Sequence, residues 1–143
     1  VGPARPVIEY LTLEDMLRLI DDLGVGPIRD IGLLDSAVHR PRVTVFGRDA
    51  YPGLDGKAAV LLESVVRNHA LVDGNKRLGW LAVVVSYGLN DISLEAPDDE
   101  AYNLVISIAS SATDYQHTAV RLATWHQQAI TPAVRPAEGT SPL

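Results

Sequence analysis

Cysteine is absent from this chain of 143 residues, which excludes a disulfide framework and a thiolate metal site and is compatible with a reducing compartment. No apolar run reaches the length of a membrane span, and the N-terminus lacks the charged, apolar, small-residue order of a secretory signal. A soluble, cytoplasmic protein is therefore expected. Positive charge is also in deficit: 12 Lys and Arg stand against 18 Asp and Glu, a net charge of −6. That balance argues against a dedicated binder of nucleic acid or of an anionic membrane, although a local cationic cluster still holds phosphate. Arg67, Lys76 and Arg77 make such a cluster. The length suits one domain, and a hydrophobic content of 47% supplies one core.

What the chain does have is the polar run His69-Ala70-Leu71-Val72-Asp73-Gly74-Asn75-Lys76-Arg77, followed at once by an apolar stretch from Leu78 to Leu89. A helix starting near Gly74 or Asn75 leaves its first N–H groups unpaired, and the helix dipole adds positive charge at the same end. Anions collect at such ends. Gly74 lets the backbone turn and approach a ligand, and Asn75 can cap the helix or donate to a phosphate oxygen. Lys76 and Arg77 add a point charge and a planar fork of donors. Asp73 would repel a bound polyphosphate unless Mg²⁺ lay between them, so Asp73 is the candidate metal ligand. Imidazole is the side chain that titrates nearest neutrality, which makes His69 the candidate general base for an attacking hydroxyl. An Asp-Gly-Asn turn or a solvated Lys-Arg pair is commonplace alone; the full spacing ahead of a buried helix is what points to chemistry.

Around this run the periodicity is helical. Thr12 and Asp15 form an approximate capping box for a helix from about Thr12 to Leu23, stopped by Gly24 and Gly26-Pro27. Asp30 caps a short helix through Leu33, Leu34, Ala37 and Val38 that ends before Pro41. Arg42 to Gly53 is β-branched and aromatic with a Gly-containing turn, which suggests a small hairpin or extended flap. Asp55 to Asn68 is a helix burying Ala58, Leu61, Leu62, Val65 and Val66. The helix from Asn75 to about Leu89 is apolar nearly all round and is expected at the centre of the fold. Pro97 opens a helix with Tyr102, Val105, Ile106 and Ala109 on its buried face, and a last helix runs from about Asp114 to Gln128 with Ala119, Leu122, Ala123 and Trp125 inward. His39, His117 and His126 lack metal-ligand spacing and fit surface or structural roles. Residues 1–11 read as a leader, 12–130 as the single domain and 131–143 as a mobile tail.

The motif resembles the signature of the Fic/Doc family, His-Pro-Phe-x-(Asp/Glu)-Gly-Asn-Gly-(Arg/Lys)-x-x-Arg, and more closely its Doc branch, which ends in Asn-Lys-Arg. His69, Asp73, Asn75, Lys76 and Arg77 match the Doc form, whereas Ala70 and Leu71 replace the Pro and Phe that pack the loop. Lys76 stands where Fic transferases carry their second glycine and Trp80 where they carry their second arginine. The resemblance, from about Tyr10 to Trp125, implies an all-α bundle of about six helices with a small β flap. It implies a toxin that transfers the γ-phosphate of ATP, with Mg²⁺, to a protein hydroxyl, the known target class being a threonine of elongation factor Tu, and so inhibits translation. His69 would be the base, Asp73 the metal ligand, and Gly74, Asn75, Lys76 and Arg77 the anion site. Val43, Thr44, Val45 and Phe46 would form the flap that adds the target's backbone as a strand. Transfer of AMP from ATP is the alternative on the same scaffold. An inactive binding module is a rival of another class, and it leaves the complete motif unexplained.

Self-inhibited Fic proteins carry a helix with (Ser/Thr)-x-x-x-Glu-(Gly/Asn). Here the one Glu-Gly pair is Glu138-Gly139, with Val134 where the hydroxyl residue belongs and Pro136 between them. An inhibitor in trans is expected instead, an antitoxin of the Phd type whose C-terminal helix covers the site.

Overall fold

The computed structural model describes residues 7–134. Its axis is an antiparallel pair, α3 (Leu54–Asn68) and α4 (Asn75–Leu89). At one end Gly79 lies so close to α3 that a Cβ would sit 2.9 Å from Val66 and 3.1 Å from Leu62; at the other, Tyr87 donates a 2.6 Å hydrogen bond to Asp55. Burial and the adjacent Asp55 carboxylate push the Tyr87 phenol upward, so it stays a proton donor. His126 also contacts Asp55, at 2.8 Å, and ties the last helix to this pole.

Around the axis pack α1 (Leu13–Leu23), α2 (Ile31–His39), α5 (Asp98–Ala109) and α6 (Tyr115–Val134), giving an all-α bundle of six helices. One core cluster joins α1 and α2 to the axis through Met16, Ile20, Leu34, Leu61 and Leu78. The second joins α5 and α6 to it through Leu62, Val83, Ile108, Leu122 and Trp125. Local chemistry sets the helix ends. Thr12 accepts from the Asp15 N–H and Asp15 accepts from the Thr12 N–H, the expected capping box, and Gly24 stops α1 in the left-handed conformation (φ 68°). Asp30 caps α2. A short 3₁₀ turn, Arg40–Arg42, leads into a hairpin of β1 (Thr44–Val45) and β2 (Arg48–Asp49), paired Val45 to Arg48 across a two-residue turn. Both turn residues, Phe46 and Gly47, have positive φ, the twist that tight hairpins favour.

Several expectations are revised. α3 is buried nearly all round, not on one face: Ala59, Val60, Ser64 and Lys57 are inside as well. Its polar side chains explain why, because each finds a partner. Lys57 bonds Asp49 (3.1 Å) and the Pro41 carbonyl, Glu63 pairs with Arg40 (2.8 Å) and Arg67 (3.0 Å), and Ser64 accepts from Arg40. The centre of the fold is thus shared by α3 and α4. On α5 the packed face is Ala101, Leu104, Val105 and Ile108, so Tyr102, Ile106 and Ala109 face outward. α6 runs to Val134, past the expected end near Gln128. Residues 7–11 of the expected leader are tied to the domain: Leu11 is buried, and Glu9 exchanges two 2.9 Å hydrogen bonds with the Asn90 side chain. The remainder of the expected leader, 1–6, and of the tail, 135–143, lies outside the described residues.

The α3–α4 contact yields a direct test. Gly79→Val must displace buried side chains on α3 and is expected to destabilise the fold by roughly 1–3 kcal/mol, read from urea unfolding.

Candidate active site

α3 and α4 are joined by residues 69–74, and this connection carries the motif. His69 is the residue at which α3 ends, in the left-handed conformation (φ 54°, ψ 49°) and exposed. A residue with a Cβ pays roughly 1–2 kcal/mol for that backbone. Ala70 and Leu71 turn inward, 4% and 1% exposed, and anchor the loop in the core. Their smaller or unaromatic side chains therefore do the packing expected of the residues they replace.

Two devices fix the loop's shape. Asn75 does not cap α4 with its side chain but brackets Leu71: its Oδ1 accepts from the Leu71 N–H (3.0 Å) and its Nδ2 donates to the Leu71 carbonyl (2.9 Å). Behind the loop runs a strap, residues 26–30, whose backbone is sewn to it. Gly26 N–H donates to the Asp73 carbonyl (3.0 Å), Val72 N–H to that of Pro27 (2.9 Å), and the N–H groups of Arg29 and Asp30 to that of Ala70 (2.7 and 3.1 Å). Gly74 starts α4 at φ 97°, and a Cβ there would meet Val25 at 2.4 Å, so both the conformation and the space demand glycine.

No side chain caps α4, whose first N–H groups open onto a pocket of about 810 Å³. His69, Asp73, Gly74, Asn75, Lys76 and Arg77 all line it. The motif is thus brought together as one surface: an exposed imidazole, an uncapped helix N-terminus and two exposed cations. Asp73 and Arg77, both exposed and both lining the pocket, form a 3.6 Å ion pair, a weak contact at that separation and exposure. One motif carboxylate beside an anion cradle suits Mg²⁺ held chiefly by phosphate oxygens and water. Among the described residues no group of three His, Cys, Asp or Glu could hold a metal alone. The pocket's floor and far wall are apolar, with Trp80, Leu81 and Val84 from α4 and Tyr102, Val105 and Ile106 from α5.

Other predicted residues are placed elsewhere. Arg67 bonds Glu63, the Ile108 carbonyl (2.9 Å) and the Thr113 carbonyl (2.8 Å), so it braces α5 and does not serve the anion site. Val43, Thr44, Val45 and Phe46 are exposed, Phe46 completely, but none lines the pocket. Their hairpin is held at the N-terminal end of α3 by Lys57, whereas His69 ends its C-terminal end; a helix of 15 residues spans about 22 Å. His39 and His117 are exposed beside Asp35 and Asp114, and His126 is the structural partner of Asp55. Arg29, whose guanidinium meets the His69 carbonyl behind the pocket, is a residue that periodicity could not find, since it is one cation in a loop; its only sequence signal is its place before the α2 cap, Asp30.

The Fic/DOC family model matches residues 9–86, from the segment ahead of α1 through most of α4. The chain is 47% identical over 119 residues to "Toxin Doc" of Mycolicibacterium smegmatis, a match covering 80% of this chain and 92% of that relative. The chain belongs to the Fic/DOC family. Its departures from the Fic pattern now have locations. Lys76 is in the first turn of α4, at the pocket mouth, and Trp80, half-buried, packs edge-on against Trp125 (centroids 6.0 Å apart), so the place of the second Fic arginine is filled by an indole between the pocket and the core.

Gly74→Ala is expected to cost roughly 1–3 kcal/mol in urea unfolding, through the left-handed backbone and the Val25 clash, and to weaken anion binding at the α4 N-terminus.

Proposed function

We propose that this Fic/DOC chain is a Doc-type toxin that moves the γ-phosphate of ATP onto a protein hydroxyl. The observation that carries this reading is the exposed His69 imidazole in one pocket with the uncapped start of α4, Lys76 and Arg77. The α4 N–H groups and the two cations would hold the triphosphate, while the apolar floor at Trp80 and Val84 offers a surface for the base. His69 takes the proton of the target hydroxyl as its oxygen bonds to the γ-phosphorus. The bond to the β–γ bridging oxygen breaks, and ADP leaves. Asp73 would hold Mg²⁺, which neutralises charge on the transferred group. Positioning and charge neutralisation by fixed groups supply most of the rate.

The AMP-transfer alternative needs the α-phosphate where the γ-phosphate is placed here. The indole of Trp80 in place of a second arginine removes a cation that such a pose would use, which favours phosphorylation. A threonine of elongation factor Tu is the target class that the Doc resemblance suggests, and arrest of translation in the cytoplasm its consequence. Likeness to Toxin Doc supports an antitoxin partner, and the exposed Val72, Tyr102 and Ile106 around the pocket suit an apolar helix of the Phd type.

Incubation of the wild-type chain and bacterial lysate with γ- or α-radiolabelled ATP is expected to label a protein from the γ position only, with the modified hydroxyl identified by mass spectrometry. Label from the α position would establish AMP transfer instead. His69→Ala is expected to lower transfer by at least about a hundredfold while nucleotide affinity changes little. Equal activity in the variant would remove His69 from the mechanism.

A further inference from the structure

We infer that Arg29 is a positioning residue for catalysis, acting through the backbone of His69. The inference rests on the assignment of His69 as the base. α3 ends without a backbone hydrogen bond closing its cap; instead the Arg29 guanidinium covers its last carbonyls. Nε donates to the His69 carbonyl at 3.0 Å, Nη2 donates to the same oxygen, and Nη2 reaches the Asn68 carbonyl at 3.5 Å. The N–H of the same residue donates to the Ala70 carbonyl. Side chain and backbone of one residue thus hold the successive carbonyls of Asn68, His69 and Ala70, on either side of the His69 φ and ψ, which selects the left-handed conformation of His69 and hence the direction in which its imidazole leaves the helix.

Charge gives Arg29 a second reason to be arginine. The negative end of the α3 dipole and the positive end of the α4 dipole meet across residues 69–74, and carbonyls facing a triphosphate would repel it. A guanidinium on those carbonyls offsets the repulsion, and its rigid planar fork fixes the direction of its donors where those of an ammonium rotate freely.

Arg29→Lys separates the two effects, since it keeps the charge and loses the fork. With ATP and the labelled target protein, kcat is expected to fall roughly tenfold to a hundredfold, with KM for ATP within about twofold. Asp30→Ala is the control for the strap: it removes the α2 cap beside Arg29 without touching His69, and is expected to lower Tm while leaving kcat within about twofold. Equal loss of kcat in both variants, or a full kcat in Arg29→Lys, overturns the inference. Should the wild-type chain transfer no phosphate, the assignment of His69 as base has failed separately, and NMR decides for Arg29. An unchanged His69 backbone amide shift and imidazole titration in Arg29→Lys would refute it, and a changed pair would sustain it.

Discussion

Two helix dipoles of opposite sense end within residues 69–74, and the short loop between them has to hold a left-handed histidine, a left-handed glycine and a buried leucine in register. Several long-range contacts serve that constraint. The α3–α4 contact at Gly79 brings the helices close, Asn75 closes a ring with Leu71, and the strap ties down both ends of the loop through Asp73 and Ala70. The exposed imidazole and cations owe their placement in part to groups outside the pocket lining, the strap residues Gly26, Pro27 and Arg29 among them. Preorganisation of this kind suits phosphoryl transfer, where the protein supplies fixed charge and orientation rather than covalent chemistry.

The helices were legible where side chains cap their own ends or bury one stripe: Thr12 with Asp15, Asp30, and the breaks at Gly24 and Asn90 fall at or near their expected places. The motif was legible because its spacing is local, and the pocket gathers all six of its polar and glycine positions. What periodicity could not show depends on long-range pairing. Lys57 and Glu63 look like solvent-facing charges until Asp49, Arg40 and Arg67 close on them, so α3 seemed half-exposed. Tyr102 and Ile106 look like core because they are apolar at helical spacing, yet they border the pocket. Arg29 leaves no periodic pattern, only its place before the Asp30 cap, since its partner lies 40 residues away, at the His69 carbonyl.

The hairpin adds a separation of roles along α3. The motif pocket lies at one end of that helix, and the exposed Val45 and Phe46 are held at the other by Lys57 and Asp49. A protein that engaged both would lie along the length of α3 rather than over the pocket alone, and its contacts with the hairpin would be main-chain pairing at a free strand edge.

The chain has two tryptophans, and both belong to the Trp80–Trp125 pair. Trp80 borders the pocket while Trp125 is sealed in the second core cluster, so the two indoles sense the same region from opposite sides. The molecule therefore carries its own optical gauge: excitation selective for indole reads this one region, and whatever enters the pocket beside Trp80 alters the surroundings of a fluorophore the chain already has.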